Sequence, residues 1–128
     1  MRVEPRSSVE WVAVIRRGIP SAAVDSLATS LHLTRSEVAA ALGISPRTLA
    51  RRKNEGILNS EESAKLLRLA RVVGRANEVF ENAVAALHWL KAPNSALSGA
   101  TPLSLLDTDI GAESVLDTLG RIEHGVFA

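Results

Sequence analysis

At 128 residues and 46% apolar, the chain suits one packed domain, or two small helical units sharing a core, and is too apolar for disorder. Aromatics are only 3% and cysteine is absent, so the core falls to Leu, Val, Ile and Ala, and disulfides and thiolate chemistry are excluded. The net charge of +1 hides a division: nine Arg and Lys against five Asp and Glu in residues 1–57 (net +4), then six against nine (net −3), so the halves suit different partners.

The apolar stretch near the N-terminus is short and broken by Glu10 and Arg16, so neither a signal peptide nor a membrane span is expected there, or a span elsewhere. A cytoplasmic protein is the expectation. Val9, Val12 and Ala13, flanked by Trp11 and Ile15, predict a short helix before Gly18. Trp11 serves either that helix or a dimer seam. After Pro20, the spacing of Val24, Leu27, Ala28 and Leu31 predicts a second helix with one apolar stripe.

Residues 33–56, LTRSEVAAALGISPRTLARRKNEG, hold the clearest local grammar. Thr34 and Glu37 form a capping box, with Val38, Ala41 and Leu42 as the inward face of the helix it opens. Gly43 supplies a tight turn and Ile44 plugs the angle. Ser45-Pro46 then starts a second helix anchored by Leu49. Arg47, Thr48, Arg51, Arg52 and Lys53 are expected to lie outside, on a helix placed where a helix-turn-helix keeps its recognition helix. Arg and Lys neutralise phosphates, and Arg also reads a guanine edge with two hydrogen bonds. The candidate DNA contacts are Arg47 and Thr48 near bases, Arg51, Arg52 and Lys53 split between bases and phosphates, and Arg35, Ser36 and Ser45 at the two helix starts. The three arginines of the second helix cannot share one groove. The segment resembles the helix-turn-helix of Xre-class bacterial regulators.

Asn59 with Glu62 predicts a capped start for a long helix whose inward residues run Leu66, Leu69, Ala70, Val73, Ala76 and Phe80. Val84, Leu87 and Leu90 predict a further helix stopping before Ala92-Pro93, with Trp89 as a packing anchor. PNSALSGATP reads as loop, and Val115, Leu119, Ile122 and Val126 as a last helix opening at Gly111 and capped by Asp109. No strand is expected; the fold class is all-α. The three histidines, His32, His88 and His124, have no metal-ligand spacing, and no phosphate loop or nucleophile elbow occurs, so neither catalysis nor a cofactor or metal is expected.

The back half also carries separated motifs in order: RLARV at residues 68–72, VF at 79–80, WL..PN.AL.G.TPL.LL.T..G from 89 to 111, and GRIEHG at 120–125. Together they resemble the toxin-binding domain of the MbcA/ParS/Xre antitoxins over residues 63–128. The resemblance implies a helix-turn-helix bundle (residues 1–58) joined by a connecting helix (59–76) to a small helical toxin-binding domain (77–128). It implies a partner toxin of the RES type, similar to ADP-ribosyltransferases and consuming NAD, and a homodimer that represses its own operon, on the nucleoid when bound to it. It also gives the closing GRIEHGVFA a purpose. Arg121, Glu123 and His124 would offer polar contacts to the toxin, and Gly125, Val126, Phe127 and Ala128 would complete an apolar plug. The rival expectation is a stand-alone helix-turn-helix repressor whose back half only dimerises.

Overall fold

The computed structural model describes residues 8–125, and among them every regular element is a helix, with one isolated antiparallel bridge between Pro20 and Ile57. Helix α1 (Ser8–Arg17) ends at Gly18, whose φ of +90° a side chain would strain. It turns Trp11, Val14 and Ile15 partly inward. Val9 and Val12, expected to be apolar contacts, are exposed instead, because only that other face of α1 reaches the bundle. Helix α2 (Ala22–Leu31) buries Val24 and Ala28 and stops at His32, which takes the left-handed conformation.

Helices α3 (Arg35–Ala41) and α4 (Pro46–Glu55) form the expected angle. Both arms of the Thr34–Glu37 capping box are made, at 2.8 and 3.1 Å. Gly43 has the positive φ (+70°) that the tight turn demands, and Leu49 is buried as the anchor of α4. Main-chain bonds from Leu58 to Ile19 (2.9 Å) and from Ser21 to Gly56 (3.1 Å) clip the end of this unit to the α1–α2 turn.

Helix α5 (Ser60–Phe80) opens on the Asn59–Glu62 capping box and lies at the centre, packed against α1, α2, α3, α6 and α7. Leu66, Leu69, Val72, Val73 and Ala76 are all buried along it, and one continuous aliphatic core runs from Val24 to Leu119. Helix α6 (Ala83–Lys91) buries Leu90 and part of Leu87 as expected, but not Val84. Val84 is 79% exposed, and the helix seats Ala86 against α5 in its place. The small Ala86 admits a close approach that the branched Val84, in the first turn, would obstruct.

The stretch expected as loop contains two short 3-10 turns, Ser95–Leu97 and Pro102–Leu105, started by the Asn94 and Thr101 side chains. They bury Leu97, Pro102 and, just beyond, Leu106. Helix α7 (Asp109–Glu123) opens two residues earlier than expected, and its cap is Thr108 rather than Asp109. The Thr108 hydroxyl accepts the Gly111 N–H at 3.0 Å, leaving the Asp109 carboxylate free to pair with Arg68. Gly111 is buried and its Cα lies against the Leu105 carbonyl, an approach no side chain would permit.

Candidate DNA interface and partner-binding half

Helix α4 owes its start to Ser45, whose hydroxyl accepts the Thr48 N–H at 3.1 Å and donates to the Thr48 hydroxyl at 3.0 Å. Both side chains are thus tied into the cap, at the end of α4 where a recognition helix meets bases. With Leu49 held inward, helical spacing puts Arg47, Ala50, Arg51 and Asn54 on one outward face, and all four are exposed. Asn54 is an addition to the expected set; its spacing of seven from Arg47 is the one signal for it in the sequence. Arg47 and Arg51 make no ion pair among the described residues.

Arg52 differs from the expected outward cation. Its Nε donates to both oxygens of the buried Glu62, at 2.8 and 3.0 Å, and its Nη1 to Glu55 at 2.9 Å. These bonds, to Glu62 above all, raise the guanidinium pKa. Burial pushes the Glu62 carboxyl up, but Arg52, the Asn59 N–H and the charge of Arg51 outweigh it and hold it below its ordinary value. Lys53 and Arg35 are both held by Asp25 of α2, at 3.0 and 3.2 Å. Ser36 stands exposed beside Arg35 in the first turn of α3.

Ion pairs link the front of the chain to the back and stiffen α7 against α5. Glu37 of α3 meets Lys91 of α6 at 3.0 Å; burial pushes the Glu37 carboxyl up, and the Thr34 N–H and Lys91 more than reverse it. Within the back half, Arg68 of α5 donates to the Leu106 carbonyl at 3.0 Å and to Asp109. Arg75 grips Glu123 with two parallel bonds, 2.5 and 3.0 Å, lowering the Glu123 carboxyl pKa. Glu123, expected among contacts to a partner, is therefore engaged within the chain. Arg121 is exposed, in a shallow cleft shared with Ser98, Asp117 and Thr118. His124 closes α7, its N–H bonded to the Gly120 carbonyl at 3.1 Å, and Gly125 comes next with positive φ. Val126, Phe127 and Ala128 lie outside the described residues.

Trp89 packs partly buried against the core, tilted 43° to Phe80 with ring centres 5.8 Å apart. Among the described residues, no three His, Asp or Glu side chains converge on a metal position, and no helix is long and apolar enough to cross a membrane.

The geometry defines a helix-turn-helix protein with a cationic outer face on its second helix, fused through a shared central helix to an acidic helical half. Comparison with known proteins makes the class specific. Residues 10–71 match the antitoxin Xre-like helix-turn-helix domain, and residues 75–125 match the antitoxin Xre/MbcA/ParS C-terminal toxin-binding domain. Antitoxin Xre of Yersinia enterocolitica is 35% identical over 116 residues, covering 89% of this chain and 78% of that protein. Antitoxin Xre of Photorhabdus laumondii is 33% identical over 118 residues (91% and 80%). The Prs ADP-ribosylating antitoxin of a Sphingobium species is 29% identical over 132 residues (95% and 83%). The chain belongs to the Xre antitoxin family, with a helix-turn-helix in front and a toxin-binding domain behind.

Proposed function

We propose that this antitoxin neutralises a RES-type, NAD-consuming toxin by occluding its active-site entrance, and represses its own operon as a homodimer through α3 and α4. The observation that carries the reading is the pair of family matches in order, a helix-turn-helix followed by a toxin-binding domain. The name of the Sphingobium relative joins an antitoxin to ADP-ribosylation, which is compatible with a partner acting on NAD. The labour divides by half. Residues 1–58 face DNA, residues 59–76 connect, and residues 77–128 face the toxin, with the protein itself acting by binding in the bacterial cytoplasm. The occluding segment is the end of α7 together with the closing residues of the chain. Arg121, His124 and Gly125 are exposed there, and Val126, Phe127 and Ala128 supply apolar groups. A buried Phe contributes roughly 1.5–3 kcal/mol, enough for an anchor. Glu123 contributes by fixing the direction of the segment through Arg75.

The deciding experiment measures cellular NAD and growth while the adjacent reading frame is expressed, with and without this chain. NAD should collapse alone and hold in its presence. Deleting residues 126–128 keeps the Arg75–Glu123 bridge and should abolish protection; a shortened chain that protects fully would remove the plug. Growth arrest without NAD loss would replace the toxin class, and no toxicity would leave a plain repressor.

On the DNA side, Arg47 and Arg51 carry the contacts, Thr48 and Ser45 place the helix start, Arg35, Ser36 and Lys53 serve the backbone, and Arg52 positions α4. Arg47→Ala with Arg51→Ala should weaken binding to the chain's own promoter roughly 100-fold, at about 1–3 kcal/mol per base-reading arginine, while protection against the toxin stays intact. Fluorescence anisotropy on a promoter duplex reads this directly. Retained specific binding would take the recognition role away from α4.

A further inference from the structure

The basic residues around α4 are unequal. Arg52 is locked inward on Glu62, whereas Arg47 and Arg51 stand without ion pairs among the described residues. Arg35, at the first residue of α3, and Lys53, near the end of α4, converge on a single carboxylate from the preceding helix. Asp25 gives one oxygen to each, Oδ1 to Arg35 Nε at 3.2 Å and Oδ2 to Lys53 Nζ at 3.0 Å. This is how two non-bridging oxygens of a DNA phosphate would engage the same two cations. All three side chains are about half exposed, so the bridge is one that solvent, salt or a real phosphate competes with on even terms. Lys53 first, and Arg35 with it, hold the Asp25 carboxyl below the usual carboxylate range, so it stays charged wherever DNA is bound.

We propose that Asp25 is an intramolecular stand-in for a DNA phosphate: it competes with every duplex for Arg35 and Lys53 and so sets the overall DNA affinity of this helix-turn-helix. The proposal rests on the DNA-binding reading of α3 and α4. Non-specific affinity is almost wholly a matter of how many phosphates are neutralised. A carboxylate that occupies two cations therefore lowers affinity for every sequence, because its two ion pairs must break before a phosphate can take them. On the operator, contacts from Arg47 and Arg51 bring the backbone into register, the phosphate exchanges with Asp25, and the two cations are recovered. The exchange forfeits both Asp25 ion pairs, so Asp25 costs the operator at least as much binding as it costs any other sequence.

The test uses the full chain with two duplexes of equal length, its own promoter fragment and an unrelated sequence, titrated from 50 to 300 mM KCl. Asp25→Asn keeps shape and polarity; Asp25→Ser checks that the amide itself adds nothing. Both variants should bind the unrelated duplex about tenfold more tightly, with a log–log salt slope steeper by up to about two, and the promoter fragment should gain at least as much. In an Arg35→Gln, Lys53→Gln background, removing Asp25 should change nothing. Unchanged or weaker binding of unrelated DNA by a folded Asp25→Asn variant would overturn the proposal, leaving Asp25 a staple between helices. A gain that persists without Arg35 and Lys53 would also overturn it, reducing the effect to bulk charge. If the unaltered chain bound neither duplex, the DNA-binding reading would fail and this inference with it; promoter binding in which neither duplex responds to Asp25 would sink this inference alone.

Discussion

Gly111→Ala should cost this protein roughly 3–5 kcal/mol and lower its melting temperature by about 15 °C, although it adds a single methyl group. Cβ at this position would fall well inside the Leu105 carbonyl oxygen, and it would lie 2.9 Å from both the Leu105 carbonyl carbon and the Thr108 hydroxyl. Two of those atoms are main chain, so no rotamer change relieves the clash. The turn at Pro102–Leu105 must shift, or the first turn of α7 must open, and opening it also forfeits the Thr108 cap, worth about 1 kcal/mol. The damage should reach function because α7 carries Val115 and Leu119, both fully buried against α5, and ends in the segment proposed to meet the toxin. Gly120 is the control on the same helix. Its Cβ would meet nothing within 4 Å, so Gly120→Ala should stabilise by about 0.5–1 kcal/mol through helix propensity. Thermal melts of the two variants should therefore move in opposite directions. Equal, small shifts would mean that the junction before α7 yields freely.

The features legible in the sequence are those written within four residues of one another. Thr34 with Glu37, Asn59 with Glu62, and Ser45 with Pro46 each announce a helix start, because a cap is satisfied by its own first turn whatever the rest of the chain does. The buried stripes of α2 and α5 follow from spacing for the same reason. Where two capping residues stand side by side, as Thr108 and Asp109 do, the choice depends on where the preceding turn ends, and that depends on Gly111 lying against Leu105. Val84 misleads because α6 is apolar on more than one face, and only packing against α5 selects Ala86. The ion pairs between distant elements are beyond reach of spacing altogether. Arg75 and Glu123 are 48 residues apart, and Arg52 finds Glu62 only because the turn between α4 and α5 folds back. That last pairing changes the candidate site most, since it turns a basic residue of the recognition helix into part of its mounting.

The mounting should show itself in a Glu62→Ala variant, expected to lose about 3 kcal/mol. Glu62 is 4% exposed and its two oxygens serve two donor groups: Oε1 accepts the Asn59 N–H at 3.0 Å, and Arg52 Nε reaches both oxygens. Loss of one arm of a capping box costs about 1 kcal/mol, and hydrogen bonds to a charged partner add roughly 1.5–3. Glu62→Gln separates shape from charge. The amide oxygen still caps α5, so the difference between wild type and Glu62→Gln isolates the carboxylate's attraction for Arg52. Because the folded carboxyl titrates below its ordinary value of 4.5, that attraction is fully present above pH 4.5 and fades as the pH falls through the folded pKa. Denaturant melts at pH 7, 5, 4 and 3 should show the gap between the two proteins closing toward acid. Other carboxylates held low, Glu37, Asp25 and Glu123, weaken both proteins alike and cancel in the difference. A gap that stayed constant with pH would assign Glu62's contribution to the cap alone. The same pair predicts a consequence for DNA: removing the Glu62 charge makes the site more positive, although Arg52 keeps its bond to Glu55, and it frees α4 to tilt. Glu62→Gln should therefore bind unrelated duplex at least as well as the wild type while losing preference for its promoter, since phosphate contacts tolerate a tilt that the base contacts proposed for Arg47 and Arg51 would not.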